Sequence, residues 1–185
     1  MKPLRKLAQN LGIVPRCAIG EPFLTMTQSI TPFLWFDKQA EQAVKFYTSV
    51  FKGSKILGIA RFTKGSPGKP GSVMTVRFRI LGQEFTALNG GPEFRFTPAI
   101  SFVVHCRTQK EVDTYWRKLS AGGKKVQCGW LEDKYGMSWQ IVPDVLIDLL
   151  AGKDPVKAER VMKAMMAMVK LDIKRLRRAA AKSGK

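Results

Sequence analysis

This chain has few of the residues that usually hold metal ions or form disulfide bonds. Its 185 residues include one histidine and three cysteines, Cys17, Cys106 and Cys128. The cysteine count is odd and lacks paired CxxC spacing, which argues against a structural zinc site and against a secreted disulfide scaffold. We therefore expect a protein of the reducing cytoplasm.

Long apolar runs are also absent. No stretch of about 18 apolar residues occurs, so the sequence predicts no membrane-spanning helix. Hydrophobic residues nevertheless make up 45% of the chain and include 11 Phe and 4 Trp. That content is enough to bury one core, or two small cores that share an interface. The composition predicts a folded protein rather than a disordered one.

Acidic residues are scarce: 14 Asp and Glu stand against 32 Lys and Arg, and the formal net charge is +18. Such an excess raises the hypothesis of nucleic-acid binding. The charge is concentrated at the termini, however, because residues 1–25 contribute +3 and residues 157–185 contribute +8. The basic run at 174–178 also lacks interleaved aromatic residues that could stack on bases. We expect no specific nucleic-acid binding, and keep binding through the C-terminal tail as an alternative.

Residues 1–25 precede the regular part of the sequence. They contain Pro15, Gly20 and Pro22 and no apolar segment long enough for a secretory signal. They are either an extension upstream of a true start at Met26 or a mobile N-terminal arm. The remainder is predicted to form one domain and a C-terminal segment: a domain over 26–150 with halves over 30–92 and 98–143, then a C-terminal helix and basic tail over 151–185.

The first half predicts one strand, one helix and three strands. The apolar run 30–36 suits a buried strand, and Asp37 stands where a helix N-cap belongs. Apolar residues then recur at helical spacing until Gly53 ends the helix. Segments rich in β-branched and aromatic residues predict three further strands, over 55–62, 73–80 and 84–88.

The same order recurs after residue 92, which predicts an internal duplication. A strand over 99–106 leads into a helix over 108–121, where Thr108 and Glu111 have the spacing of a capping box. Three more strands are predicted over 125–128, 130–133 and 138–142. A last helix is predicted over 154–181, with Asp154 as its N-cap and Pro155 at its first position.

Four segments resemble one known family. They read ITPFLWFDKQAEQAVKFY at 30–47, LNGGPEF at 88–94, AISFVVHCRTQKEVDTYWRKL at 99–119 and CGWLEDKYGMSWQIVP at 128–143. The resemblance is to the PhnB-like branch of the vicinal-oxygen-chelate superfamily, which includes glyoxalases, bleomycin-resistance proteins and ring-cleaving dioxygenases. It covers residues 30–178. It implies an α+β fold in which two βαβββ half-repeats form a cupped mixed sheet around a shared cavity, a C-terminal helix, and a homodimer.

Metal-using relatives place their ligands at inward-facing strand positions, and this chain departs from that pattern. The matching positions fall near Ile30 or Thr31, near Ala99, and at Gln140 where a glutamate is usual. One neutral amide holds a divalent metal poorly, so we expect no metal site and no cofactor. Members of the branch often carry a demethylubiquinone methyltransferase-like name. We expect no such activity, because no Gly-rich turn follows a strand and opens a helix.

Gln140 is the leading candidate for ligand binding, because its amide both donates and accepts hydrogen bonds. A structural glutamine with satisfied hydrogen bonds is the alternative. Ser138 shares its face by strand alternation. The other residues expected to line a cavity are rings and loop residues, for which core packing is the alternative: Trp130, Phe33, Trp35, Phe94, Glu93 and Asn89. Such a lining favours a small, partly aromatic or oxygen-rich ligand.

Nucleophilic catalysis finds little support in the sequence. His105 and Cys106 are adjacent on a predicted strand, so their side chains point to opposite faces and cannot form a dyad. Cys128 is a reactive cavity thiol or, as we favour, a buried cysteine. The predicted function is therefore small-molecule binding. An enzyme that uses a weakly held or substrate-supplied metal is the alternative.

Overall fold

The computed structural model of this protein describes residues 30–181. The chain forms two compact units, and the boundary between them lies between Arg95 and Phe96. Within the described part, no helix has both the length and the apolar character needed to cross a membrane. The predicted N-terminal extension over 1–25 lies outside the described residues.

The first unit has the predicted strand, helix, strand, strand, strand order. Its elements are β1 (Phe33–Phe36), α1 (Ala40–Val50), β2 (Lys55–Arg61), β3 (Val73–Ile80) and β4 (Gln83–Asn89). They form a four-stranded sheet in the order β1-β4-β3-β2. β1 runs parallel to β4, and the other neighbours are antiparallel, so the sheet is mixed.

Alternation along β3 sets the two faces of this sheet. Val76 and Phe78 are fully buried, whereas Arg77 between them is partly exposed on the opposite face. Helix α1 covers the buried face, where the Tyr47 ring stacks on Phe78 at a centroid distance of 6.3 Å. The apolar stripe of α1 thus determines which side of the sheet becomes the core.

The start of α1 differs from the prediction. The N-cap position is Gln39 rather than Asp37, and it makes no capping hydrogen bond with its side chain. Instead the Ala40 N–H donates to Oδ1 of Asn89, at 2.8 Å. The prediction of Asp37 as N-cap was wrong because the end of β4, 49 residues away, supplies the acceptor.

The second unit repeats the βαβββ order and adds three helices. Its elements are β5 (Ser101–Cys106), α2 (Gln109–Leu119), β6 (Lys124–Lys125), β7 (Trp130–Glu132), β8 (Ser138–Pro143), α3 (Asp144–Leu150), α4 (Pro155–Met166) and α5 (Ile173–Ala181). The sheet order is β5-β8-β7-β6, with β5 parallel to β8. The predicted α+β class, with two βαβββ repeats and a helical C-terminal segment, is confirmed.

One strand of the second unit is shorter than predicted. The observed strand comprises only Lys124 and Lys125, so of the segment expected over 125–128 only Lys125 lies in a strand. Cys128 and Gly129 have φ angles of 59° and 82°. Such angles are incompatible with an extended strand, so the chain turns sharply before β7.

Helix α2 begins as predicted. Glu111 N–H donates to the Thr108 hydroxyl, and the Glu111 carboxylate accepts from the Thr108 N–H at 3.0 Å and from the Arg107 N–H at 2.7 Å. These bonds form a capping box. They hold the pKa of Glu111 below its ordinary value, chiefly through the backbone hydrogen bond from Thr108.

The C-terminal segment is two helices, not the single helix predicted over 154–181. Helix α4 starts as expected, with Asp154 capping its first turn and Pro155 following, but it ends at Met166. The carbonyls of Met168 and Val169 accept hydrogen bonds from the backbone of Cys128 and Gly129, at 2.8 Å each. Helical geometry would direct these carbonyls along the helix axis, so this pairing with the turn before β7 breaks the helix.

Candidate functional site

Strand register gathers several predicted residues on one face of the second sheet. Cα partners across a sheet point to the same side, so Trp130 on β7, Gln140 on β8 and Val103 on β5 form one row. The next row contains Ser138, Ser101 and Glu132. We call these six residues the Gln140 face. The opposite face carries the core residues of β8, Trp139 and Ile141, as predicted.

Gln140 and Ser101 form the polar centre of this face. The Gln140 Nε2 donates to the Ser101 Oγ, at 2.9 Å. Within residues 30–181 no donor is paired with the Gln140 amide oxygen, which is therefore available as an acceptor. The serine hydroxyl accepts from Gln140 and keeps its own hydrogen to donate. The pair thus offers one acceptor and one donor side by side.

Ser101 was not singled out from the sequence. It lies 39 residues before Gln140, and only the parallel pairing of β5 with β8 brings the two together. A serine directly before the apolar residues 102–104 was the available signal. The register that places it beside Gln140 depends on tertiary structure.

Trp130 supplies the flat apolar surface next to this pair. Its side chain is partly buried, and its Cα partner is Gln140 itself. Ser138, on the same face, is buried and 5% exposed. Glu132, also on this face, forms an ion pair with Lys124, with an N–O distance of 3.1 Å. A partly buried ring beside an unsatisfied amide oxygen is a typical feature of a small-molecule site.

The predicted aromatic residues of the first unit lie on its β1 strand and on the loop after β4. Phe33 and Trp35 alternate with buried Leu34 and Phe36, and Phe33 is 56% exposed. The indole N–H of Trp35 donates to the Gly91 carbonyl at 2.9 Å, and Phe94 meets the ring edge-on at 5.0 Å. A Cβ at Gly90 would lie 2.4 Å from the Trp35 ring, so glycine is required there. Glu93, in the same loop, is exposed.

Asn89 has a local structural role. Its Oδ1 accepts from the N–H of Ala40 and its Nδ2 donates to the Val73 carbonyl, at 2.8 and 3.0 Å. Its Cα partner is Phe36, a core residue, so its side chain points toward the α1 side of the sheet. Ligand contact by Asn89 stays a prediction.

A cleft of about 460 Å³ opens where α1 begins, beside the loop between β2 and β3. Asn89 is in its wall, together with Asp37, Lys38 and Glu41. Glu41 is paired with Lys45 at 2.7 Å, which lowers the pKa of the carboxyl group. Because Glu41 and Asn89 already serve the local helix structure, this cleft offers fewer available groups than the Gln140 face.

His105 and Cys106 lie on opposite faces of β5, as predicted. Cys106 is fully buried, and burial raises the pKa of its thiol to about 12. The Nδ1 atom of His105 lies 3.4 Å from the carboxylate of Asp144 instead. Cys128 is partly buried, with its Sγ 3.5 Å from the Met166 sulfur. None of these contacts forms a pair of nucleophile and base.

The side chains of the described part of the chain do not fit a resident divalent metal. Ile30, Thr31 and Ala99, near which the resemblance placed two ligand positions, precede β1 and β5, so the strands begin later than the predicted residues 30 and 99. The match to the ligand positions stays a prediction. Within residues 30–181, no three His, Cys, Asp or Glu side chains are grouped so that they could hold a metal ion. The groups at the centre of the Gln140 face, one amide oxygen and one hydroxyl, are neutral, and a divalent metal prefers charged carboxylate or imidazole ligands.

Comparisons with known proteins agree with this architecture. The sequence model of the family described as 3-demethylubiquinone-9 3-methyltransferase matches residues 28–142. The structure of the PhnB protein from Bacillus cereus is similar, with 41% identity and a TM-score of 0.58, covering 63% of this chain and 99% of that one. Protein PA1353 from Pseudomonas aeruginosa has the same fold at 17% identity, with a TM-score of 0.53 and coverage of 63% and 98%. Among curated proteins, none matches this chain.

Proposed function

Because this chain belongs to the 3-demethylubiquinone-9 3-methyltransferase family, in its PhnB-like branch, we propose that it binds a small, partly aromatic or oxygen-rich molecule through the Gln140 face. The observation that carries the proposal is the hydrogen bond from Gln140 to Ser101, which leaves an amide oxygen and a hydroxyl hydrogen beside the Trp130 ring. The ring suits a flat apolar part of a ligand, and the polar pair suits its oxygen atoms.

We do not propose a methyltransferase activity for this chain, although the family name includes one. Within residues 30–181, the strand-to-helix connections at 37–39 and 107–108 contain no glycine, and β8 leads into α3 with no residue between them. A nucleotide-type cofactor usually needs such a glycine so that its phosphates or sugar can approach the helix start. The function that we propose is therefore ligand binding and not methyl transfer.

A thermal-shift screen of phenols, quinones and hydroxy acids tests the binding function, because a ligand of the native state raises Tm with concentration. For each compound that binds, we expect Gln140→Met and Ser101→Ala to weaken binding by about tenfold, the effect of losing one hydrogen bond. Trp130→Ala should weaken it further. Gln127→Met is the matched control, since Gln127 is exposed in the turn before β7. Equal affinity in Gln140→Met and wild type would refute the site.

We also propose that the protein is a homodimer, as the family resemblance implies. Large apolar side chains on α4 support this: Met162 and Met166 are 42% and 54% exposed. Exposed apolar clusters commonly mark interfaces, and methionine packs adaptably there. Light scattering after gel filtration should give twice the chain mass, and Met162→Glu with Met166→Glu should give the monomer mass. A monomeric wild type would contradict the proposal.

Binding of nucleic acid through the C-terminal tail, the alternative function, is better tested by substitutions than by truncation. Helix α5 carries exposed Lys174, Arg175 and Arg178, but Leu176 between them is fully buried, so deleting the helix would damage the unit. Replacing these three cations and Arg177, which is also exposed, by glutamine removes the charge of the helix and keeps its buried leucine. If the tail binds nucleic acid, these changes should reduce both the affinity and its salt dependence.

The enzyme alternative and the cytoplasmic location also stay proposals. Turnover that depends on added Mn, Ni, Zn or Fe would favour an enzyme that takes its metal from solution or substrate. Cys106 and Cys128 are free thiols, which suits a reducing compartment. Cell fractionation tests the location.

A further inference from the structure

We propose that the outer edge of β2 binds an extended segment of another protein, which joins the first sheet as an added strand. The segment that fits carries apolar side chains at alternate positions and an acidic side chain near each end. Nothing in this proposal depends on the Gln140 face, which belongs to the other unit. Three features of β2 carry it: an open backbone edge, two half-exposed isoleucines on one face, and two cations on the other.

Strand β2 has a neighbouring strand on one side only. It is the last strand in the order β1-β4-β3-β2, and within residues 30–181 its single strand partner is β3. It has seven residues, whereas β1 at the other end of the sheet has four. Backbone N–H and C=O groups along such an edge can pair with a strand from another chain, the recognition mode known as β-augmentation.

Two isoleucines of β2 are incompletely covered on the side of the sheet that packs on α1. Ile56 is the Cα partner of Phe78, and Ile59 is the Cα partner of Val76. Phe78 and Val76 are fully buried, but the two isoleucines are 37% and 42% exposed. The core of the first unit therefore ends in an apolar margin, which alternate apolar residues of an added strand can cover.

The opposite face of β2 carries a positive charge at each end. Lys55 is the Cα partner of Arg79. Arg61 is the Cα partner of Val73, and residues 73 and 79 both project away from α1. Lys55 and Arg61 are exposed, and Arg61 donates one hydrogen bond to the Gly71 carbonyl at 3.0 Å. A partner strand with acidic residues at the same separation places a carboxylate opposite each cation.

The same charges argue against a second copy of this chain as the partner. An antiparallel pair of β2 strands centred on Gly58 would set Lys55 opposite Arg61, and like charges directly opposite each other destabilise a sheet. The register of β2 against β3 also shifts between Ile56 and Gly58 and between Ala60 and Arg61. Irregular pairing and edge cations are devices by which sheets avoid pairing with their own copies. Charge therefore favours an acidic partner.

The test uses the full chain and three synthetic peptides. In acetyl-EVTVTVE-amide, the valines occupy one face of an extended strand and the two glutamates occupy the other, with the separation of the two cations on β2. Acetyl-KVTVTVK-amide reverses the charge. Acetyl-EVPPTVE-amide keeps the charge, but its adjacent prolines remove one backbone N–H from each edge of the peptide. Titration followed by NMR should show binding of the first peptide alone, with the largest shifts at the backbone amides of residues 55–61.

Substitutions in β2 should weaken binding of acetyl-EVTVTVE-amide. We expect Lys55→Gln with Arg61→Gln to weaken it about fivefold, through the loss of two exposed ion pairs. Lys110→Gln with Arg117→Gln, at exposed positions on α2 with the same charge change, should leave the affinity within about twofold. Ile59→Thr keeps a β-branched side chain but removes apolar area, and should weaken binding about threefold. The Tm of every variant is measured alongside, so that unfolding is not mistaken for lost binding.

Four results would overturn the proposal. The first is absence of binding by acetyl-EVTVTVE-amide, and the second is equal binding of the proline peptide, which would exclude backbone pairing. The third is an equal loss of affinity in the two double glutamine variants, which would indicate general attraction to a chain of net charge +18. The fourth is an oligomer of the wild type, seen by light scattering, that Ile59→Thr dissociates, because a second copy would then occupy the edge.

Failure at this edge and failure of the Gln140 face are distinguishable. Gln140 lies on β8 in the second unit, whereas β2 belongs to the first. Gln140→Met should therefore leave peptide binding unchanged, and Ile59→Thr should leave small-molecule binding at the Gln140 face unchanged.

Discussion

Asp133 holds the turn between β7 and β8. It is 1% exposed, and its Oδ1 accepts from the backbone N–H groups of Tyr135 and Met137, at 2.8 and 3.1 Å. Its Oδ2 accepts from the indole N–H of Trp139 at 2.8 Å. One buried carboxylate thereby joins the turn to the core face of β8, opposite the Gln140 face.

Replacing Asp133 by alanine should destabilise the protein by about 2–4 kcal/mol, because buried donors at Met137 and Trp139 lose their acceptor. Trp139→Phe removes one of these donors. The double variant should therefore lose less stability than the two single losses together, by about 1 kcal/mol. Urea unfolding followed by circular dichroism measures all three. Lys134→Ala, an exposed neighbour, is the control, and strict additivity would contradict the shared hydrogen bond.

The Cys106 thiol should be unreactive in the native state. It is fully buried, and burial, followed by the nearby Glu111 and Asp144 charges, raises the pKa of the thiol to about 12. The folded state thus retains this proton at pH values where an unfolded cysteine loses it. The free energy of unfolding is therefore not reduced by this thiol below its ordinary pKa of 9.0. It falls as the pH rises from 9.0 toward 12, because only the unfolded state then releases the proton.

Site-resolved mass spectrometry after iodoacetamide treatment checks this expectation. Cys106 should be labelled only when the protein is unfolded, and raising the pH from 7 to 9 should not accelerate native labelling of that site. Cys128, which is partly buried, is the internal comparison and should be labelled faster. Fast native labelling of Cys106 would contradict its burial.

At the residue scale, the sequence predicted which face of a strand a side chain occupies, but not which side chains from different strands are in contact. Alternation along β8 correctly put Trp139 and Ile141 in the core, whereas ligand binding by Gln140 stays a prediction. The contact with Ser101 was not predicted, because it depends on pairing between strands 39 residues apart.

Among the elements, α1 is joined to β4 through Asn89. The residue caps the helix through its amide oxygen and holds β3 through its amide nitrogen. Asn89→Ala should cost about 2 kcal/mol, the sum of a lost cap and a lost hydrogen bond. Asn89→Asp retains the acceptor for Ala40 but loses the donor to Val73, so we expect an intermediate loss. Thermal and urea unfolding measure both, and an unchanged Asn89→Ala stability would contradict this role.

Helix α2 is capped by neighbouring residues, so its stability can be tested locally. Thr108→Ala should cost about 1 kcal/mol, with exposed Lys110→Ala as a neutral control. Glu111→Gln weakens the reciprocal hydrogen bonds. Because the pKa of Glu111 is lowered from 4.5, the advantage of the wild type is present above pH 4.5 and is lost as the pH falls through the folded-state pKa. Urea unfolding at pH 7 and pH 3 checks this sign, and a constant difference would contradict it.

The contrast between the two helix starts explains what the sequence could predict at this scale. Thr108 and Glu111 are three residues apart, so their capping box is visible in the sequence. The acceptor for α1 and the break after Met166 both depend on distant backbone groups, at Asn89 and at Cys128 to Gly129. A continuous helical pattern over 154–181 cannot reveal such partners.

At the scale of whole units, the C-terminal helices are part of the second unit rather than an appended tail. Leu146, Val161, Met168, Leu171 and Leu176 form one buried cluster. Gln109 at the start of α2 donates to the Leu171 carbonyl and accepts from the Ile173 N–H, at 3.1 and 2.8 Å. Lys170 also pairs with Asp113 on α2. The segment between α4 and α5 is therefore attached to the βαβββ repeat by both its backbone and its side chains.

Leu171→Ala tests this integration. Leu171 is fully buried, and its side chain lies 3.0 Å from the place where a Cβ on Gly129 would stand, which is closer than ordinary van der Waals contact. Truncation leaves a cavity that cannot collapse against the turn before β7, so the loss should be about 2–4 kcal/mol. Val169→Ala, which is 48% exposed, should cost less than about 1 kcal/mol. Hydrogen exchange resolved by NMR should show faster exchange in α5 and at Gly129 together in Leu171→Ala. If α5 alone exchanged faster, the helix would be a separable appendage, and the shared core would be refuted.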